Sequence, residues 1–134
     1  MIPMEKFHVI YIYISRDDGY AYSTVIENHY KLVIDLWCKY LGRISYREAL
    51  GKAVLDSLKE YFEMGLSDIP VILILSDTNS ARNLVESDKF KDLIKPFKEV
   101  RVSLMKSWRY KRSIELVKFC LKNKLERYPP SKFL

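Results

Sequence analysis

A run of five aliphatic residues that ends beside an aspartate is the feature that most constrains the fold of this chain. Residues 71–75 read Val-Ile-Leu-Ile-Leu, and Ser76 and Asp77 follow at once. A strand that is apolar on both faces is typical of a sheet covered on both sides. A helix pattern begins near Thr78, so the sequence predicts a β-α unit with a carboxylate at the carboxyl end of its strand. Open α/β sheets usually bind their ligands at that end.

The segments around this unit alternate between the periods of strands and helices. Turn signals at Asp18-Gly19 and Asn28-His29 separate three early strands, which predicts an antiparallel meander. The predicted elements are strands at 7–15, 20–27 and 30–40, a helix at 45–64, a strand at 71–75, helices from 78 and at 89–95, a strand at 100–105 and a helix at 108–125. This order predicts one α/β domain over residues 1–134. It comprises a five-stranded mixed sheet, built from the meander and two β-α units, with helices on both faces and a flexible tail at about 128–134.

Composition and charge exclude several classes of protein. Two cysteines, Cys38 and Cys120, and two histidines, His8 and His29, lack the spacing of a disulfide framework or a zinc site. No serine lies in a nucleophile-elbow motif, and no apolar run approaches the roughly 20 residues of a membrane helix. The amino terminus lacks a signal-peptide pattern, which predicts a cytoplasmic protein. The net charge of +6 and pI of about 9.2 favour an anionic partner such as nucleic acid.

The order of elements and two short motifs resemble the ribonuclease H-like superfamily. Residues 74–85 are similar to the family's fourth strand, its aspartate and the helix after it, and Arg47–Leu50 is similar to the start of its first helix, where the family carries a glutamate. The resemblance spans roughly residues 7–121. It implies that Asp77 and Glu48 belong to a set of about four carboxylates that holds two Mg²⁺ or Mn²⁺ ions. Two such ions activate a water and stabilise the leaving oxygen of a phosphodiester.

The other two carboxylates of the family pattern are displaced or missing. The first strand contains no acid, and Tyr13 or Ser15 occupies the comparable position. Asp17, in the turn that follows, is separated from Tyr13 and Ser15 by an even number of positions, so we expect its side chain on the same face of the sheet, toward Asp77. At the start of the last helix, the best alignment with the family pattern puts Ile114 at the position of the family's fourth acid.

The predicted acids also have purely structural interpretations. Aspartate is a preferred helix N-cap, and a helix is predicted directly after Asp77. Glu48 is the fourth residue of a capping box opened by Ser45. Asp17 precedes the turn signal Asp18-Gly19, where aspartates are common for reasons of turn geometry.

A basic and aromatic run precedes the last helix. Its candidate nucleic-acid-binding residues are Lys106, Trp108, Arg109, Tyr110, Lys111 and Arg112. Cations bind phosphates, and aromatic faces stack on unpaired bases. The alternative is that Trp108 or Tyr110 anchors the helix to the sheet while the cations are merely solvated.

The resemblance and this run together predict a metal-dependent nuclease that acts on nucleic acid, with single strands preferred and exonuclease activity plausible. In this hypothesis Glu48 and Asp77 hold Mg²⁺ or Mn²⁺ with help from Asp17 or Asp18. The missing first-strand acid supports a different hypothesis, a binding module without catalysis. A third is an assembly protein whose exposed aromatics form a homo-oligomer interface.

Overall fold

The computed structural model describes residues 6–76 and 78–130, and the side chains of residues 78–80 lie outside that description. The strands are β1 (His8–Asp17), β2 (Gly19–Asn28), β3 (Val33–Gly42), β4 (Val71–Leu75) and β5 (Val100–Leu104). The helices are α1 (Tyr46–Glu63), α2 (Thr78–Glu86), α3 (Asp88–Ile94) and α4 (Lys111–Asn123). The predicted order of strands and helices is confirmed.

The five strands form one sheet in the order β3-β2-β1-β4-β5. The hairpin strands β1, β2 and β3 pair antiparallel, whereas β4 pairs parallel with both β1 and β5. This is the predicted mixed sheet of a meander followed by two β-α units. Among the described helices, none is long and apolar enough to cross a membrane.

Strand alternation divides the core between the two faces of the sheet. Tyr22 and Trp37 are fully buried in a large apolar cluster with α1, whereas their chain neighbours Ala21 and Cys38 are buried in a smaller cluster with α4. Successive side chains of a strand point to opposite faces, so each strand contributes to both clusters. The prediction of helices on both faces is therefore confirmed.

The capping box predicted at the start of α1 is present. The Ser45 hydroxyl accepts a hydrogen bond from the Glu48 backbone N–H at 3.1 Å, and it lies 3.2 Å from a Glu48 carboxylate oxygen. The first contact pairs the Glu48 N–H, one of the backbone donors that a helix start otherwise leaves unpaired, whereas the second joins two side chains. Glu48 thus has a local structural role, and its side chain stays exposed at the surface.

The C-terminal segment is held against the outer edge of β3. Tyr128 and Cys38 exchange two backbone hydrogen bonds, of 2.9 and 2.7 Å, and Leu125 accepts one from Tyr40 at 2.8 Å. Paired backbone covers an edge strand that would otherwise expose open hydrogen-bonding groups. Tyr128 is thus paired with β3, whereas residues 131–134 of the tail predicted at about 128–134 lie outside the described part of the chain, and the flexibility of this tail stays a prediction.

Candidate functional site

One of the predicted acids, Asp17, lies at the end of the sheet where β1 turns into β2. Asp17 ends β1 and is exposed in the tight β1-β2 hairpin. An open cleft of about 430 Å³ separates this hairpin from the start of α1, and we call it the hairpin cleft. It is lined by residues 16–20 and 43–45. Asp17 and Ser45, the N-cap of α1, line this cleft from different elements, whereas Glu48, three residues after Ser45, is not among its lining residues.

Asp18, the alternative to Asp17, is tied to two cations at the edge of this cleft. Its carboxylate accepts hydrogen bonds from Lys124 Nζ at 3.0 Å and from Arg43 Nε at 3.0 Å, and Arg43 Nη2 lies 2.8 Å away. These bonds hold the pKa of the Asp18 carboxyl below its usual range. The Tyr40 hydroxyl also donates to the Asp18 backbone oxygen at 2.6 Å. Asp18 therefore joins the hairpin to β3 and to the end of α4.

The described residues do not fit a two-metal site of the kind that the resemblance implies. They include no group of three or more His, Cys, Asp or Glu side chains that could hold a metal ion. Tyr13, in the position of the first-strand acid, is covered by Trp108, and Ile114 is half-buried on α4. Asp77 lies outside the described residues, so its part in a metal site stays a prediction from the sequence.

The two aromatics of the basic run pack on the sheet. Trp108 stacks on Tyr13 with ring centroids 5.2 Å apart, and Tyr110 stacks on Tyr11 at 4.6 Å. The Tyr110 hydroxyl donates a 2.6 Å hydrogen bond to Glu27, a carboxylate that is only 8% exposed. Burial and this hydrogen bond raise the pKa of Tyr110. Each ring thus has one face covered by a tyrosine of β1, and the pair anchors the segment that leads into α4.

This anchoring also explains why α4 begins at Lys111 and not at about Trp108 as predicted. Tyr110 is the N-cap, with an extended backbone, and its side chain makes no capping hydrogen bond to the helix. Its hydroxyl is committed to Glu27 on the sheet instead. The start of α4 therefore lacks the side-chain cap that most helices use to satisfy their first backbone N–H groups.

The cations of the run gather in a second open cleft of about 510 Å³, which we call the cationic cleft. It is lined by Glu27, Lys31, Arg109, Tyr110, Lys111, Arg112 and Glu115. Its four cations are exposed and take no part in the ion pairs found within the described residues. Four cations face two carboxylates there, so the cleft carries a positive field. Lys106 is exposed but does not line it.

The two clefts lie at opposite ends of β2. Tyr20 lines the hairpin cleft, and Glu27 lines the cationic cleft. The seven steps of strand between them span about 23 Å at about 3.3 Å per residue. The structure thus separates Asp17 from the cations of residues 109–112 by most of the length of β2.

Sequence reasoning missed three members of the cationic cleft, namely Glu115 on α4 and two residues from β2 and the turn after it. Lys31 comes from the β2-β3 turn, where its backbone is left-handed with φ of 64°. Glu27 comes from the end of β2 and pairs across the sheet with Val9. A turn lysine and a strand glutamate carry no motif. Only the return of residues 105–110 across the sheet brings Arg109 and Tyr110 to them.

Solved structures with a similar architecture are known, although the sequence itself matches no family. No protein-family model and no curated protein sequence matches the chain. The solved structure of LC11-RNase H1 in complex with an RNA/DNA hybrid matches with a TM-score of 0.72 and 16% identity, over 87% of this chain and 98% of that one. RNase H1 of the halophilic archaeon Halobacterium salinarum matches at 0.63 and 17% identity, over 86% and 98% of the two chains.

A third solved structure extends the comparison to another organism. The N-terminal RNase H domain of a Mycobacterium tuberculosis protein matches with a TM-score of 0.68 and 12% identity, over 86% of this chain and 94% of that one. Identities this low establish a shared architecture, whereas function depends on the residues of the site. The order of strands, the mixed pairing and these three likenesses show that the chain has the ribonuclease H-like fold.

Proposed function

We propose that this protein is a nucleic-acid-binding domain whose cationic cleft holds the phosphate backbone. The observation that carries the proposal is the convergence of Lys31, Arg109, Lys111 and Arg112 on one open cleft without ion-pair partners among the described residues. Phosphate contacts by lysine and arginine supply most of the affinity of proteins for nucleic acid. Arginine adds planar, two-pronged hydrogen bonding that suits phosphate oxygens.

The uncapped start of α4 strengthens the cleft as an anion site. Lys111 and Arg112 are the first two residues of this 13-residue helix, and both line the cleft. Backbone N–H groups at a helix N-terminus favour a nearby negative charge, and the Tyr110 side chain does not cap them. Side-chain cations and helix N–H groups therefore act on the same space.

The solved neighbours add support of a different kind. LC11-RNase H1, which has a similar architecture, was solved with an RNA/DNA hybrid bound. A fold that carries nucleic acid in one protein makes the same class of partner a reasonable expectation for another. The cleft of this chain supplies the charge that such a partner requires.

Fluorescence anisotropy with labelled oligonucleotides at two salt concentrations tests the proposal. We expect the double variant Arg109→Gln/Arg112→Gln to bind more weakly and with a shallower salt dependence, because each lost phosphate contact lowers the slope of log K against log salt by about 0.7–0.9. The control variant Lys95→Gln/Arg101→Gln removes the same charge from exposed residues outside the cleft. Equal losses in both variants, or no binding at low salt, would contradict the proposal.

Metal-dependent cleavage of phosphodiester bonds is a second candidate function. The observation that favours it is that Asp17 and Ser45, the N-cap of the helix that carries Glu48, line one cleft, while β4 ends at Leu75, two residues before Asp77. Because the described residues do not complete a metal site, we assign no mechanistic step to Mg²⁺ or Mn²⁺. The binding proposal does not depend on cleavage.

Incubation of labelled single-stranded and duplex DNA and RNA with Mg²⁺, Mn²⁺ or chelator tests this candidate. Nuclease activity of this protein should disappear with chelator, with Asp77→Asn and with Glu48→Gln, whereas Glu63→Gln, at an exposed glutamate of the same helix outside both clefts, should retain it. Products that shorten from one end would indicate an exonuclease. Cleavage that persists in the two acid variants would rule out a role for these carboxylates.

A further inference from the structure

The β2-β3 turn presents an exposed aromatic ring next to the cationic cleft. Tyr30 is 70% exposed and Leu32 is 63% exposed, the two highest values among the exposed large hydrophobic side chains. Lys31, between them, lines the cleft. An aromatic ring left open beside a group of cations offers an apolar face at a place where an anionic partner would be drawn.

The turn is fixed by its own hydrogen bonds. The Asn28 side-chain oxygen accepts from the backbone N–H of Tyr30 at 2.9 Å and of Leu32 at 3.1 Å. The Lys31 N–H donates to the Asn28 backbone oxygen at 2.9 Å, with Lys31 in the left-handed region. A pre-organised turn loses little conformational entropy when its side chains bind a partner.

The ring of Tyr30 is more accessible than the aromatics of the basic run. Its ring contact within the described residues is with His29, at a centroid distance of 4.0 Å and a tilt of 40°. Trp108 and Tyr110 are half-buried, and each has a face covered by a tyrosine of β1. Stacking on a base requires an accessible ring, and Tyr30, at 70% exposed, is more accessible than Trp108 or Tyr110.

We propose that the cationic cleft takes single-stranded nucleic acid, with phosphates on its cations and an unpaired base stacked on Tyr30. The proposal deepens the binding function proposed above and depends on it. Bases of a duplex keep their faces against their neighbours, whereas an unpaired base can turn its face to a tyrosine. The ring and the lysine of one rigid turn then contact successive parts of one nucleotide strand.

Anisotropy with three ligands of about 12 nucleotides tests it: a single-stranded DNA or RNA, a duplex, and an abasic strand that keeps every phosphate. Tyr30→Ala should weaken single-strand binding by about 5- to 150-fold, the usual range for one lost stack. Tyr30→Phe should bind like the wild type. Leu32→Ala, which removes a neighbouring exposed side chain without a π face, should change little.

The abasic strand separates stacking from charge. Tyr30→Ala should bind it as the wild type does, and its salt dependence should stay unchanged, since no phosphate contact is lost. Unchanged binding of the base-containing strand by Tyr30→Ala, or an equal loss in Leu32→Ala, would overturn the role of Tyr30 while leaving the cationic cleft intact. Failure of every ligand to bind at low salt would overturn the binding function itself.

Discussion

Replacement of Arg127 by methionine tests how the C-terminal segment is held to the sheet. Arg127 Nη2 lies 2.9 Å from one Glu60 carboxylate oxygen and 3.1 Å from the other, and its guanidinium lies 4.7 Å from the ring centroid of Trp37. The Glu60 side chain is only 8% exposed. A buried carboxylate that loses its partner costs about 3–5 kcal/mol, because its charge remains away from water.

The protonation state of Glu60 makes this cost depend on pH. Burial and a hydrogen bond with Asp35 raise the pKa of Glu60 to about 7, even though Arg127 lowers it. The folded protein therefore keeps a proton between pH 4.5 and 7 that the unfolded chain releases. At about 1.36 kcal/mol per pKa unit, this proton contributes up to about 3 kcal/mol to stability near pH 4.5, and the contribution is lost as pH rises through 7.

We therefore expect Arg127→Met to cost up to about 1.4 kcal/mol more at pH 8 than at pH 5.5, because without Arg127 the pKa of Glu60 rises further and the folded variant keeps a proton that the wild type has released. At pH 5.5 Glu60 carries its proton, and the loss is that of the cation–π contact with Trp37 and of the hydrogen bond from Arg127 Nε to the Pro129 backbone oxygen, about 1–3 kcal/mol together. Urea unfolding followed by tryptophan fluorescence at both pH values measures the difference.

Glu60→Gln provides the matched control for this experiment. It removes the ionisable group but keeps a side chain of similar size, so in that background Arg127→Met should cost the same at pH 5.5 and pH 8. If Arg127→Met costs the same at both pH values in the wild-type background, the assignment of Glu60 as the titrating group is refuted.

Two further predictions concern stability and the thiols. Gly19 has φ of +93°, and a Cβ there would lie 2.6 Å from the Tyr40 hydroxyl. Gly65 has φ of +77° but no atom within 4 Å of such a Cβ, so Gly65→Ala adds only backbone strain of about 1–2 kcal/mol. Gly19→Ala should therefore lower the urea midpoint more than Gly65→Ala, and equal shifts would show that the close contact costs nothing. Cys38 and Cys120 are fully buried, and their mutual hydrogen bond and burial raise the pKa of the Cys38 thiol. Both should react with a thiol reagent only after unfolding, and native-state labelling at the rate of a free thiol would contradict their placement.

Local pattern was enough to predict most of the architecture. Aliphatic residues 71–75 form β4 with the predicted bounds, and the capping box at Ser45 starts α1 as expected. Both signals arise from interactions within a few residues, so a linear sequence contains them. The start of α4 was placed too early because Trp108 and Tyr110 pack on the sheet, which helix periodicity does not register.

The residues of the candidate site could be predicted from the sequence only in part. Asp17 and Ser45, the N-cap before Glu48, belong to separate elements, and the cleft that they line follows from the way β3 returns to the hairpin before α1 begins. The distance between that cleft and the cations of residues 109–112 depends on the path of the chain after β5. No spacing between Lys31 and Arg109 along the chain encodes that they line one cleft.

The sequence by itself determined the order of strands and helices, the two-sided sheet and the excess of positive charge, since hydrophobic period, caps and composition act locally or as sums. The tertiary structure alone decided which charges meet. It covers Trp108 and Tyr110, leaves Tyr30 open beside Lys31, and holds Arg127 on Glu60. Such partnerships join residues far apart in the chain, and packing of the completed sheet against α1 and α4 is the physical cause that selects them.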